Sequence, residues 1–108
     1  LVKYLIEHGA GINKETEGGC TPLFLACGSG NEDLVKYIID LGANISKEDK
    51  DGYTPFFAAC LRGNENLVKY LVGHGANINK ETKNGYTPLF LACSNGNKNI
   101  IKYLIEHG

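Results

Sequence analysis

The side chains able to do chemistry in this 108-residue sequence are four cysteines, three histidines and a scatter of carboxylates. Cys27, Cys60 and Cys93 stand 33 residues apart. A zinc site would instead need clustered ligands, typically paired cysteines at a spacing of two to four. Disulfides are equally unfavoured if each cysteine sits on its own helix. Packed helices lie roughly 8–10 Å apart, beyond the about 7 Å that a bridge spans between Cα atoms. The three therefore read as small buried hydrophobes, and unpaired thiols imply a reducing compartment, so an intracellular setting, cytoplasmic or nuclear, is expected. Cys20 differs, falling where the equivalent positions carry Tyr53 and Tyr86. It reads as a thiol on a turn with nothing nearby to activate it.

His8, His74 and His107 each precede a glycine at the expected end of a helix, where a cation complements the helix dipole. Leu41 at the equivalent position shows that imidazole is not required there. Glu32 and Asp33 fall at a helix start, where acidic residues suit the dipole and need no catalytic role. The glycines are periodic and form no phosphate-binding loop, and no serine or cysteine sits in a nucleophile motif. Neither an enzyme nor a metal or cofactor site is expected.

The period of the cysteines is the period of the whole chain. Leu1-Val2-Lys3-Tyr4 returns as Leu34-Val35-Lys36-Tyr37, Leu67-Val68-Lys69-Tyr70 and Ile100-Ile101-Lys102-Tyr103, each 33 residues on. Gly19-Cys20-Thr21-Pro22, Gly52-Tyr53-Thr54-Pro55 and Gly85-Tyr86-Thr87-Pro88 keep the same step. Within a unit, Thr-Pro opens a first helix: the hydroxyl can accept from an orphan N–H, and proline tolerates the first helical position. That helix stops near Gly30, Gly63 or Gly96. A second helix starts at Asn31, Asn64 or Asn97 and ends at Gly42, Gly75 or Gly108. Its apolar stripe (Leu34, Val35, Ile38 and Ile39 in one copy) is too broad for one helix pair to cover. Stacked copies bury it, which predicts a solenoid. The expected division is a partial unit at 1–18, units at 19–51 and 52–84, and a unit lacking its final loop at 85–108, with seven helices and three turns in all.

Composition narrows the partner. Hydrophobic residues make up 43% of the chain, enough for a core, and net charge is −1 from 11 basic and 12 acidic residues. No basic patch suits nucleic acid or an anionic membrane, and no apolar run reaches the roughly 18 residues of a membrane span. The mixed-charge stretches Lys47–Asp51 and Lys80–Lys83 read as solvated loops.

The copies TPLFLAC, TPFFAAC and TPLFLAC, the 33-residue period and the GANIN-like loops resemble the ankyrin repeat family over essentially the whole length. The resemblance implies an all-α solenoid of helix-turn-helix units with projecting β-turn loops. Its inner helices and turns would form a concave palm that binds a protein. The histidine of the family motif is replaced by Phe24, Phe57 and Phe90. The imidazole hydrogen bonds to the turns are therefore absent, and apolar packing is expected to replace them.

Positions that agree among copies are explained by packing, caps or turns, whereas differing positions on turn tips and inner-helix ends are free to encode a partner. These are Glu17, Gly18, Cys20, Gly28 and Ser29 in the first unit. The second offers Lys50, Asp51, Tyr53, Leu61 and Arg62, and the third Lys83, Asn84, Tyr86, Ser94 and Asn95. Tyr53, Tyr86 and Arg62 lead, because Tyr and Arg dominate binding hot spots. The recurring Tyr4, Tyr37, Tyr70 and Tyr103 suit packing on the second helix instead. The expected molecule is a protein-binding monomer whose uncapped ends can stack end to end. A structural spacer is the alternative, as is a substrate of an asparagine hydroxylase, through loops like those holding Asn13 and Asn79.

Overall fold

The computed structural model describes residues 11–108; the helix expected near the start, with Tyr4 and His8, lies outside the described residues. The described residues form six helices in three pairs. They are α1 (Pro22–Ser29) with α2 (Glu32–Asp40), α3 (Pro55–Arg62) with α4 (Glu65–Gly73), and α5 (Pro88–Asn95) with α6 (Lys98–His107).

Local chemistry sets the boundaries. Each inner helix (α1, α3, α5) has proline in its first turn and ends on a glycine in the left-handed region. Thr21 and Thr87 accept from the backbone N–H of Phe24 and Phe90 at 3.4 and 3.3 Å. The expected cap fails at Thr54, whose side chain makes no such bond. Thr54 borders the crevice between its own loop and the next instead. The outer helices (α2, α4, α6) are capped as the sequence predicts. Asn31, Asn64 and Asn97 Oδ1 each accept from the third residue onward at 3.1 Å. Two of these asparagines also act between units: Asn97 Nδ2 donates to Gly63 O at 3.3 Å and Asn64 Nδ2 to Gly30 O at 3.5 Å.

Each inner helix packs on the next, α1 on α3 and α3 on α5, and on the outer helix of its own unit, while α4 packs on α6. The core is accordingly a periodic set. Leu23 and Phe56 are equivalent, as are Ala26, Ala59 and Ala92, Val35 and Val68, and Ile38, Leu71 and Leu104. Burying each large side chain contributes roughly 1.5–3 kcal/mol. Cys27 and Cys60 lie fully buried in this set, as expected. Cys93 does not: it is exposed, because among the described residues no further inner helix packs on α5 as α3 does on α1.

The turns repeat as closely as the helices. Thr16, Asp49 and Thr82 each open a four-residue turn, their carbonyls accepting from Gly19, Gly52 and Gly85 N–H at 2.9, 3.1 and 3.0 Å. Their side chains then accept from Cys20, Tyr53 and Tyr86 N–H at 3.2, 3.0 and 3.1 Å, so a short oxygen-bearing side chain fixes each turn locally. Neighbouring turns are joined by backbone. Lys50 N–H donates to Gly18 O and Lys83 N–H to Asp51 O, both at 2.9 Å. Gly52 has φ +90° and its missing Cβ would lie 3.0 Å from Lys83 N. A side chain there would press on the next turn and force it to give way, besides straining the left-handed backbone.

The mixed-charge loops are not merely solvated. Lys47 Nζ reaches Glu15 at 3.0 Å and Lys80 Nζ reaches Glu48 at 3.2 Å, the same pair one unit apart. Both pairs are partly exposed, so each is worth at most about 1 kcal/mol. They register successive units more than they stabilise them.

Candidate binding surface

The turns and the inner helices carry many of the positions at which the copies differ. Glu17 and Gly18, Lys50 and Asp51, and Lys83 and Asn84 occupy the exposed turn tips. Cys20 and Tyr53 are half-buried where the turns meet the helices, while Tyr86 is exposed. Gly28, Ser29, Leu61, Arg62, Ser94 and Asn95 are exposed at the C-terminal ends of the inner helices.

Aromatic packing stands where the family motif has histidine. Tyr53 meets Phe57 edge to face at 5.3 Å and 82°, and Tyr86 meets Phe90 at 4.9 Å and 33°. Such pairs are worth about 0.5–1.5 kcal/mol beyond their buried area. They tie each turn to the helix below it. Phe24 has Cys20 at the corresponding place and so lacks this partner.

Three candidate residues at one repeat position behave differently. Ser29 Oγ donates back to Ala26 O at 2.8 Å. Asn95 Nδ2 donates to Leu61 O at 2.6 Å and Cys60 O at 3.2 Å, completing the C-terminal end of the neighbouring α3. Arg62 makes no ion pair among the described residues. Its side chain lies back over the end of α1, with Nε 2.7 Å from where a Cβ on Gly30 would be.

Between these residues an open hollow of about 390 Å³ is lined by Phe24, Gly28, Tyr53, Phe57, Ala58, Leu61, Arg62 and Leu91. Four of these were identified by comparing the copies, namely Gly28, Tyr53, Leu61 and Arg62. Phe24, Phe57, Ala58 and Leu91 were not. The signal was present for Ala58, which stands where the other units have Leu25 and Leu91.

The opposite face is structural. The Tyr70 ring lies 4.2 Å from that of His74, and Tyr103 lies 4.1 Å from His107. Lys36 and Lys69, each from the preceding unit, sit over Tyr70 and Tyr103 at 5.4 and 5.8 Å. His74 and His107 Nδ1 donate to the Tyr70 and Tyr103 carbonyls at 3.0 and 2.9 Å, which closes the helix ends as the sequence suggested.

Asn13 and Asn79 are both exposed, and Asn13 Oδ1 accepts from Asn44 N–H at 2.8 Å. Burial pushes the Cys27 and Cys60 thiols up to about 12, so both stay protonated and unreactive at neutral pH. No group of three potential metal ligands occurs among the described residues. No described helix is long and apolar enough to cross a membrane.

Comparison with known proteins adds one finding to this geometry. A family model described as ankyrin repeats (3 copies) matches residues 1–49 and 41–108. A search of curated proteins finds no match.

Proposed function

From the chain's membership of the ankyrin repeat family we propose that it holds another protein on the palm formed by its turns and inner helices, with the middle unit contributing most of the affinity. Ankyrin repeats are generally protein–protein interaction modules and are typically non-enzymatic. The observation that carries the reading is the contrast between the two faces. The back repeats its tyrosines and lysines in intramolecular contacts, while the palm places Tyr53, Leu61 and Arg62 around an open apolar hollow. Tyr and Arg beside an apolar pocket are the usual anchors of an interface. A structural spacer has no need of side chains that differ at these positions. The two buried free thiols support an intracellular setting, cytoplasmic or nuclear.

The test is affinity capture from a lysate of the source cells, read by quantitative mass spectrometry. Wild type is compared with Tyr53→Ala/Arg62→Ala on the palm and Lys36→Ala/Asp40→Ala on the back. The proposal expects partners held by wild type and by the back variant to drop at least about tenfold with the palm variant, since hot-spot truncations cost 2 kcal/mol or more. Capture indifferent to the palm substitutions rejects it.

A further inference from the structure

The hollow in the palm has a chemistry of its own, and what it accepts follows from how the chain makes it. Two side chains are missing around it. Ala58 stands where the neighbouring units carry Leu25 and Leu91, and Gly28 stands where the middle unit carries Leu61. A Cβ built on Gly28 would meet nothing within 4 Å. The walls that remain, Phe24, Phe57 and Leu91, are apolar. The space of about 390 Å³ exceeds the roughly 150 Å³ that takes a benzene ring. At its rim lies Arg62, the only arginine of the chain, with no carboxylate paired to it among the described residues.

Resting on the palm reading above, we propose that this hollow takes a bulky apolar side chain from an extended acidic segment of the partner, with a partner carboxylate paired to Arg62. The exposed guanidinium of Arg62 can take a carboxylate in a charge-assisted, two-point hydrogen bond. It disfavours a lysine or arginine in the same place by repulsion. In an extended segment residues two apart point the same way, so the anchor and the carboxylate are separated by one residue. The hollow selects for size, and Arg62 selects for sign.

The probe is a blocked seven-residue peptide, Gly-Glu-Ser-Trp-Ser-Glu-Gly, which offers a carboxylate two residues from the anchor in either direction of docking. Versions with both Glu replaced by Gln or by Lys complete the set. Each is titrated into the 15N-labelled chain and followed by amide chemical shifts. The proposal expects shifts centred on Phe57, Ala58, Leu61 and Arg62. Affinities should fall from Glu to Gln to Lys, with about fivefold between the extremes, the upper range for a rim ion pair. Arg62→Gln should bring the three peptides within twofold of each other. Ala58→Leu should abolish binding of all three by supplying the leucine the other units already have. Gly28→Leu, which fills the hollow from the opposite wall, gives a second reading should Ala58→Leu fail to fold.

Equal binding of the Glu and Lys peptides, unchanged binding by a folded filling variant, or no palm shifts at millimolar peptide would each overturn the proposal. Those results combined with palm-dependent capture from lysate would leave the palm reading standing and remove only the apolar-acidic chemistry. Palm-independent capture removes both.

Discussion

The approach of one turn to the next can be tested by adding a single methyl group at two equivalent glycines. Gly52 and Gly85 both sit at positive φ, +90° and +85°, so alanine at either costs about 1–2 kcal/mol for the left-handed backbone alone. Their surroundings differ. A Cβ on Gly52 would lie 3.0 Å from Lys83 N and 3.1 Å from Thr82 Cα, whereas one on Gly85 has only Glu81 Oε1 at 3.9 Å. Relieving the first contact moves the third turn away and lengthens the 2.9 Å bond from Lys83 N–H to Asp51 O. That bond is worth about 0.5–1.5 kcal/mol, and forcing a methyl into a packed contact typically costs a further 1–3 kcal/mol. Gly52→Ala should therefore destabilise by about 2–4 kcal/mol more than Gly85→Ala. Urea denaturation followed by circular dichroism measures both. Because the backbone conformation is shared, their difference isolates the contact between turns. Equal losses would mean that the turns do not brace one another, and the palm would then be a row of independent loops.

Burial makes a second prediction about the thiols. Cys27 and Cys60 are pushed up to about 12 in the folded chain against an ordinary 9.0, so folding favours the protonated form. Stability is complete below pH 9 and is lost as pH rises toward 12. At pH 10 the loss is on the order of 1 kcal/mol per thiol, and about twice that for the pair. Urea midpoints of wild type should fall between pH 8 and pH 10 more steeply than those of Cys27→Ala/Cys60→Ala; parallel pH profiles would contradict the burial. A third prediction contrasts two phenylalanines at one repeat position. Phe57 is 1% exposed and Phe90 55% exposed. Phe57→Ala should cost about 3–5 kcal/mol and Phe90→Ala under about 2 kcal/mol, again by urea denaturation, and similar costs would refute the placement of Phe57 in the core.

The sequence by itself determined the architecture, because a solenoid is built from local signals repeated in phase. Thr-Pro starts, glycine stops and asparagine caps each act within a few residues. The apolar stripe that they frame can be buried only by its own copy 33 positions away. Leu61 and Arg62, exposed and different in each copy, were legible from the same in-phase comparison. Thr16, Asp49 and Thr82 were equally in phase, and the same comparison could have found them as the side chains that lock the turns.

Tertiary structure decided how identical residues diverge. Cys27, Cys60 and Cys93 share one local environment in sequence, yet only the first two are buried, because burial belongs to the neighbouring unit and not to the residue. Asn95 and Arg62 occupy the same repeat position. Only the packed stack reveals that one closes the adjacent helix while the other lies beside an apolar hollow with no ion pair among the described residues. The hollow itself is made of two absent side chains, Gly28 and Ala58, on different helices. Local pattern dictates each unit, but a cavity is a property of the space between units, and only their packing fixes that space.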